Sequence, residues 1–260
     1  MDTIFDPTAM FGGRDVEFMR RVADATGVKI VACTGIYTYD FLPHYFANRS
    51  EDQMAELFVA DIENGVQGTG IKAAFLKVAA DAAGVTPNIE KVHRAAARAS
   101  VQTGAPIMAH SRPASNTGPR QIEIFEEEGA DLTRVQIAHT GDSDDLDYIE
   151  RLLDKGVWIG LDRYGLPMFL PTDKRNATAA ELIRRGHADR IHISQDYCAT
   201  IDWFPEEAVP QLIEAGLVLE TWSMTLVFDE VLPALRSDGA LDERAERAIL
   251  VDNPRRWMAG

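Results

Sequence analysis

Residues 135–163 read VQIAHTGDSDDLDYIERLLDKGVWIGLDR, and this stretch alone indicates the fold class. Val135–Ala138 and Val157–Leu161 are short, continuous apolar runs, the pattern of strands that are buried on both faces of a parallel sheet. Asp145–Lys155 between them has the apolar spacing of a helix, and Gly156 follows it as a helix stop signal. A strand, a helix and a second strand without a polar linker predict an α/β fold.

The same alternation extends over the whole chain in both directions. Five more runs predict strands at Thr3–Asp6, Lys29–Ala32, Ala73–Leu76, Ile107–Ala109 and Ile191–Ser194. Helical patterns occupy Asp15–Thr26, Asp52–Asn64, Ile89–Thr103, Gln121–Glu128, Thr178–Arg185, Thr221–Leu235 and Asp242–Ile249. We therefore expect one domain over residues 1–260, with about seven βα units and C-terminal helices. A closed (β/α)8 barrel needs eight such units, so the chain is either a TIM barrel that lacks its first unit or an open doubly wound sheet.

Composition excludes several classes of function. The chain has 260 residues, 46% of them hydrophobic, and a formal charge of −15, which repels nucleic acid and anionic membranes. Its two cysteines, Cys33 and Cys198, cannot form a disulfide framework and fit a reducing cytosol. Neither a secretory signal nor a membrane-spanning run is recognisable, so we expect a cytoplasmic protein without a membrane or nucleic-acid partner.

Residues able to bind a metal follow four of the predicted strands, namely Lys77, His110, His139 and Asp196. In a parallel barrel the carboxyl ends of the strands open on one face, so these side chains are expected to converge. A single histidine at a strand end is more often a packing residue, but two of them with an aspartate favour a metal site. Imidazole and carboxylate ligands suit Zn²⁺, and also Mn²⁺, Fe²⁺ or Co²⁺.

Lys77 admits two interpretations. A buried lysine beside a metal favours the neutral amine, which can capture carbon dioxide and become an anionic carbamate. Alternatively, its side chain extends along the surface into solvent. The other histidines lie away from the predicted strand ends or inside a strand, and we interpret His93, His187 and His192 as surface or packing residues, while His44 lies in a loop.

Several motifs together resemble the phosphotriesterase family of the amidohydrolase superfamily, and within it the phosphotriesterase-like lactonases. These motifs are DTIFDPTAMFGGRD at 2–15, TGIYTYDFLPHYF at 34–46, AAFLKVAAD at 73–81, PIMAHS at 106–111, RVQIAHTGDSDDLDYI at 134–149, GLDRYGLPMFLPTDKRN at 160–176 and ISQDYCATIDW at 193–203. The resemblance covers essentially the whole chain and implies a (β/α)8 barrel with a two-metal centre.

The resemblance also implies a role for each predicted metal ligand. Lys77 matches a carboxylated lysine that bridges both metals, whereas His110 and His139 match ligands of the more exposed metal. Asp196 matches a ligand of the more buried metal, which also relays a proton from the bridging hydroxide.

Three further residues match positions around the substrate in the lactonases. Tyr37 is expected to contact the substrate and to assist the leaving alkoxide, and Arg163 to shape the pocket. Trp203 matches an aromatic residue that lines the pocket. Two alternatives remain open: Tyr37 as an apolar wall residue, and Arg163 as an ion-pair partner of Asp162 or Asp202.

The chain departs from the family pattern at two points. The family's first strand ends in His-x-His, which binds the buried metal, and this sequence contains no His-x-His. The buried metal would then keep only the carbamate and Asp196, so one bound metal is an alternative to two. Gln195 stands where lactonases commonly have a histidine, although that position is a neighbour of the site and not a ligand.

The expected function is metal-dependent hydrolysis of small lactones or esters. Lactones such as N-acyl homoserine lactones, the substrates in quorum quenching, come first, with promiscuous hydrolysis of organophosphate triesters. One alternative is a dedicated phosphotriesterase, and another is a shortened or degenerate barrel without catalysis. Relatives commonly form dimers, so a homodimer is also expected.

Overall fold

The computed structural model describes residues 1–199, 205 and 207–259 of the chain. In these residues there are seven strands: β1 (Thr3–Asp6), β2 (Lys29–Ile36), β3 (Phe75–Ala79), β4 (Ile107–His110), β5 (Val135–Ala138), β6 (Trp158–Leu161) and β7 (Ile191–Ile193). The α-helices are α1 (Val16–Thr26), α2 (His44–Ala47), α3 (Glu51–Glu63), α4 (Pro87–Thr103), α5 (Thr117–Glu127), α6 (Leu146–Leu153), α7 (Thr172–Arg184), α8 (Ala208–Glu214), α9 (Leu232–Ser237), α10 (Glu243–Arg247) and α11 (Asn253–Ala259).

Contacts divide the chain into two compact units. The first unit consists of Met1–Ile137, Lys155–Val157 and Trp257–Gly260, and the second of Ala138–Asp154 and Trp158–Arg256. The predicted single domain over residues 1–260 stays a prediction, and the two units are described separately below.

In the first unit, β1 to β4 pair in parallel and in sequence order. Phe75 and Leu76 at the start of β3 are fully buried, as expected for a strand that is covered on both faces. The ring of Trp257 lies 5.7 Å from the rings of both Phe5 and Phe75, so the C-terminal helix α11 closes this core.

In the second unit, β6 and β7 pair in parallel, with Ile159 opposite Ile191. Tyr164 is fully buried, and its hydroxyl donates to the backbone carbonyl of Arg175 in α7 at 3.5 Å. Two five-residue π-helical turns, Val227–Val231 and Ala248–Asp252, lead directly into α9 and α11. The strand order of the sheet follows the sequence from β1 to β7.

The predicted parallel α/β alternation is confirmed, and Val135–Ala138 is a strand residue for residue. The bounds predicted for the third strand, Ala73–Leu76, are wrong, because β3 is Phe75–Ala79 and Lys77 lies in its middle and not after its end. The helix predicted over Thr221–Leu235 is replaced by residues 227–237, a π-helical turn followed by α9. The absence of a first βα unit stays a prediction.

None of the helices in the described ranges is both long enough and apolar enough to cross a membrane.

Candidate active site

His110 forms the centre of the first unit's part of the site. It is the last residue of β4, it is fully buried, and both of its ring nitrogens are hydrogen-bonded. Nε2 lies 2.7 Å from Oδ2 of Asp81, and Nδ1 lies 2.9 Å from the hydroxyl of Tyr37. Because an ionised carboxylate can only accept, Nε2 carries the proton and Nδ1 keeps its lone pair.

Asp81 is itself held firmly in place. Its Oδ1 accepts from the backbone N–H of Ala82 at 2.6 Å and from Nη1 of Arg112 at 3.0 Å. The hydrogen bond with His110 holds the pKa of Asp81 well below its usual range, with smaller contributions from Ala82 and Arg112. Asp81 therefore remains an ionised acceptor for His110 over the whole physiological range of pH.

Tyr37 directly follows β2 and is part of an aromatic cluster over His110. The hydroxyl of Tyr39 lies 2.8 Å from that of Tyr37, and both rings lie within 6 Å of the imidazole of His110. Nζ of Lys77 lies 5.8 Å from the centre of the Tyr37 ring. Lys77 is only 3% exposed, so its side chain does not extend into solvent, whereas the carbamate on Lys77 stays a prediction.

In the second unit, His139 is bound in a different way. It directly follows β5 and adopts a left-handed backbone with φ of 63°, which is uncommon outside glycine. Oδ1 of Asp162 accepts from both the backbone N–H of His139 at 2.8 Å and its Nδ1 at 2.9 Å. Nδ1 therefore carries the proton, and Nε2 keeps the lone pair.

Gly160 provides the space for this arrangement. A Cβ atom at position 160 would lie 2.2 Å from Oδ2 of Asp162 and 3.0 Å from Cα of Ala138. The 2.2 Å contact is shorter than real Cβ atoms make, so a larger residue at position 160 in β6 would displace the carboxylate of Asp162.

Arg163 links two carboxylates in the second unit. Its Nε donates to Oδ2 of Asp196 at 3.2 Å, and its Nη1 donates to Oδ2 of Asp142 at 2.9 Å. Arg175, which is 1% exposed, donates to the other oxygen of Asp142 at 3.1 Å. The guanidinium of Arg163 also lies 4.2 Å from the centre of the Phe169 ring. These contacts fix the direction from which Arg163 reaches Asp196.

The charges in this cluster partly compensate one another. Burial raises the pKa of Asp142, whereas Arg163 and Arg175 act to lower it. The pKa of Arg163 is raised because the carboxylates of Asp142 and Asp196 outweigh its desolvation. The ion-pair partners of Arg163 thus include Asp142 and Asp196, where the sequence suggested Asp162 or Asp202; Asp202 lies outside the described residues.

The donor chemistry of these residues fits the metal that the family resemblance implies. A histidine that binds a metal usually donates its other N–H to a carboxylate, and Asp81 and Asp162 accept such bonds from His110 and His139. Imidazole nitrogen, carboxylate oxygen and a modified lysine are ligands suited to zinc and its neighbours. Within the described residues, no three His, Cys, Asp or Glu side chains are grouped as metal ligands.

The structure separates the predicted site residues into two groups. Tyr37, Lys77 and His110 lie together in the first unit, and Arg163 and Asp196 in the second, which also contains His139. Trp203 lies outside the described residues.

Sequence reasoning missed four residues that hold these groups in place: Asp81, Asp142, Asp162 as a histidine partner, and Tyr39. All four follow the carboxyl end of a strand by one to four residues. Attention to every polar residue just beyond a strand would have found them.

A sequence profile described as "Phosphotriesterase family" matches residues 1–258. The chain belongs to the phosphotriesterase family. The "Aryldialkylphosphatase" of Saccharolobus solfataricus is 49% identical over 99% of this chain and 80% of its own length. A "Phosphotriesterase homology protein" of Mycobacterium tuberculosis is 42% identical over 98% of this chain and 78% of its own length. The solved structure of the phosphotriesterase from Mycobacterium tuberculosis matches with a TM-score of 0.92 and 41% identity, over 100% of this chain and 80% of that one.

Membership of the phosphotriesterase family confirms the resemblance that the motifs indicated. It identifies the chain as a phosphotriesterase-family hydrolase. The likeness to the solved phosphotriesterase also favours the barrel over the open doubly wound sheet.

Proposed function

We propose that this phosphotriesterase-family hydrolase is a metal-dependent lactonase that acts on N-acyl homoserine lactones or related lactones, with weaker hydrolysis of organophosphate triesters. The observation that supports metal dependence is the pair of histidines whose protons are held by Asp81 and Asp162. A carboxylate that accepts the N–H of a histidine orients its ring and raises its basicity, as is usual for histidines that bind a metal.

The proposed ligands are Lys77, carried as a carbamate, together with His110, His139 and Asp196. They would hold two divalent ions, zinc in the first place and otherwise cobalt, iron or manganese, or only one ion. A metal bound there would supply a hydroxide from water at neutral pH and a positive charge beside the carbonyl oxygen of the substrate.

The residues of the chain carry the protons in this proposal. Asp196 accepts the proton of the attacking water while Arg163 holds its Oδ2. Tyr37 donates its hydroxyl proton to the leaving alkoxide oxygen, and the Tyr39 hydroxyl 2.8 Å away can return a proton to it. The water's oxygen bonds to the carbonyl carbon, the ring C–O bond breaks, and the product is a hydroxy acid.

An apolar surface in the second unit supports a lactone with an acyl chain. Phe169 is 38% exposed beside Arg163, and Leu217, also 38% exposed, accepts a backbone hydrogen bond from Met168 at 3.2 Å. An alkyl chain that covers these side chains would gain roughly 25 cal/mol for each Å² of apolar surface removed from water. Trp203, which lies outside the described residues, is a further substrate-binding residue in this proposal.

The second candidate is a dedicated phosphotriesterase. The relative that favours it is the Saccharolobus solfataricus protein, whose name describes cleavage of aryl dialkyl phosphates. The two functions share the same chemistry and differ in which substrate the pocket walls fit.

The deciding experiment compares kcat/KM for a long-chain N-acyl homoserine lactone with kcat/KM for paraoxon. The protein is first incubated with Zn²⁺ or Co²⁺ and bicarbonate, and its metal content is measured. We expect a clear preference for the lactone, and Phe169→Ala should lower lactone turnover more than paraoxon turnover. A large preference for paraoxon would reverse the order of the two candidates. Less than one metal per chain, with neither activity, would support the degenerate barrel.

We also propose that the chain forms a homodimer. Phe41 is 84% exposed, and its neighbours Tyr39 and Tyr45 are 47% and 60% exposed, which is more aromatic surface than a monomer usually leaves in water. Light scattering at several protein concentrations tests this, and a mass of one chain throughout would contradict it.

A further inference from the structure

Gln195 precedes the proposed proton acceptor Asp196, and the proposed function gives it no role. Asp196 has φ of 51°, a left-handed conformation that residues other than glycine adopt infrequently. Such a backbone persists only where the surrounding structure holds it, and it tends to occur at functional sites. The contacts of residues 195–197 show what holds it here.

Two hydrogen bonds connect Gln195 to the segment before α9. Nε1 of Trp222 donates to the backbone carbonyl of Gln195 at 2.8 Å, and Nε2 of Gln195 donates to the backbone carbonyl of Met224 at 3.1 Å. The side chain of each partner thus binds the backbone of the other segment. We call these two bonds the Gln195–Trp222 clamp.

The first of these bonds acts directly on the conformation of Asp196. The carbonyl of Gln195 and the amide of Asp196 belong to one planar peptide group, so the direction of that carbonyl is linked to φ of Asp196. An indole N–H that fixes the carbonyl therefore opposes rotation of Asp196 towards an extended backbone. Rotation would also carry its carboxylate away from Nε of Arg163, which lies 3.2 Å away.

The indole of Trp222 is itself fixed by close packing. A Cβ atom at Gly165 would lie 2.2 Å from Cδ1 of Trp222, so the ring occupies the space that a side chain at position 165 would need. On another side, the ring of Tyr197 meets the indole edge-on, with centres 5.0 Å apart. The donor atom therefore has little freedom to turn away from Gln195.

We propose that Gln195 and Trp222 are positioning residues that hold Asp196 in its left-handed conformation. The inference rests on the proton-accepting role of Asp196 in the proposed function and explains what keeps that carboxylate in place. Neither residue touches the reacting atoms; both act through the backbone of Asp196.

The experiment compares Trp222→Phe with Trp257→Phe. Both changes delete an indole N–H that donates to a backbone carbonyl, since Nε1 of Trp257 donates to the carbonyl of Arg134 at 3.0 Å. The first readout is the ¹³Cα chemical shift of Asp196 in metal-free, aspartate-labelled protein, assigned from the signal that Asp196→Asn removes. We expect Trp222→Phe to move this shift towards extended values, and Trp257→Phe to leave it unchanged.

The second readout is catalysis. Loss of one hydrogen bond corresponds to a factor of up to about ten, so Trp222→Phe should lower kcat about three- to tenfold with KM within about twofold. Gln195→Leu, which removes the second bond and keeps the volume, should act in the same direction. Trp257→Phe should lower the melting temperature without changing kcat.

An Asp196 shift that is the same in Trp222→Phe, Gln195→Leu and the parent protein overturns the inference, whatever the activities are. The failure of the proposed function gives a different result. If Asp196→Asn retains full lactone turnover, Asp196 is not the proton acceptor, although the chemical shift still reports whether the clamp holds its backbone.

Discussion

In the first unit His110 directs Nε2 at Asp81, whereas in the second unit His139 directs Nδ1 at Asp162. His110 ends a strand with an ordinary backbone, and only its side chain is bound to the carboxylate. His139 lies one residue beyond its strand in a left-handed backbone, and the carboxylate holds both its ring and its backbone N–H. Both histidines are thus hydrogen-bonded to an aspartate, through the side chain alone in the first unit and through the side chain and the backbone in the second.

This difference teaches where each unit is sensitive. Loss of Asp81 would release only the ring of His110. Loss of Asp162 would release the ring of His139 and also remove the hydrogen bond that supports its left-handed backbone. Each unit also contains a further histidine whose pKa is lowered by burial, the fully buried His93 in the first unit and the half-buried His192 in the second. The following changes test the comparison.

The largest expected effect is acid destabilisation through His93 and His192. Burial lowers the pKa of both His93 and His192 from 6.5 to about 4. Above pH 6.5 the imidazoles are neutral in both states; between pH 6.5 and 4 the unfolded chain binds protons that the folded chain does not, so the free energy of unfolding falls as pH falls. The loss is about 3 kcal/mol per histidine. Urea unfolding across this range measures it.

His93→Gln and His192→Gln should each remove about half of that acid-induced loss. If one variant alone abolished the acid-induced loss of stability, the two histidines would not contribute equally, and this prediction would be wrong.

Asp162→Ala should have the next largest effect. It removes the acceptor of two hydrogen bonds at His139, and we expect kcat/KM to fall about 100-fold, the upper end for a carboxylate that orients a metal-binding histidine. The unpaired backbone N–H should also lower the free energy of unfolding by about 2 kcal/mol. Asp162→Asn, which keeps an acceptor oxygen, is the matched control and should lose much less stability. Steady-state kinetics and urea unfolding give both values.

Asp81→Ala should have a smaller effect, because it removes a hydrogen bond from the ring of His110 and none from its backbone. We expect the dissociation constant for Co²⁺ to rise about tenfold, with little change in stability. Arg112→Ala, which removes one support of Asp81, should raise it less than that. Titration of the metal-free protein followed by absorbance measures both. If Asp81→Ala weakened binding more than Asp162→Ala, the proposed contrast between the two units would be wrong.

The smallest effect is expected from a network of surface ion pairs that connects α3, α4 and α5 in the first unit. Glu128 accepts from Arg94 at 2.9 Å and from Arg98 at 2.8 Å. Because the arginines are partly exposed, Glu128→Gln should lower the free energy of unfolding by less than about 1 kcal/mol. The difference should shrink in 1 M NaCl, where charges on the surface are screened. Urea unfolding at low and high salt distinguishes this from a packing effect.

Strand positions were predictable because buried parallel strands are continuous apolar runs, and β5 matches its prediction at every residue. Helix starts were less predictable. α5 begins at Thr117, four residues before the predicted start, since Gly118 and Pro119 resemble helix breakers but are tolerated in a first turn. α7 begins at Thr172 with a polar turn that has no apolar spacing, and its buried member is the guanidinium of Arg175.

The candidate site was predictable in its residue types but not in its internal bonds. His110 and His139 stand out in the sequence because each directly follows one of two successive predicted strands. Which ring nitrogen each one uses depends on carboxylates 29 and 23 residues away, and no local pattern encodes that pairing. The bounds of β3 could not be predicted for a similar reason, because they depend on its pairing with β2 and β4, which no local pattern encodes.

Gly160 has a practical consequence for anyone who alters this chain. The carboxylate of Asp162 occupies the space that a Cβ atom at position 160 would need. A mutant library designed only from residues predicted to contact a substrate would wrongly treat position 160 as tolerant of substitution. Gly160→Ala, which adds a single methyl group, should displace the carboxylate of Asp162 and lower activity while leaving all of the proposed ligands in the sequence. Screens for faster enzymes should therefore keep this codon fixed and look for gains elsewhere.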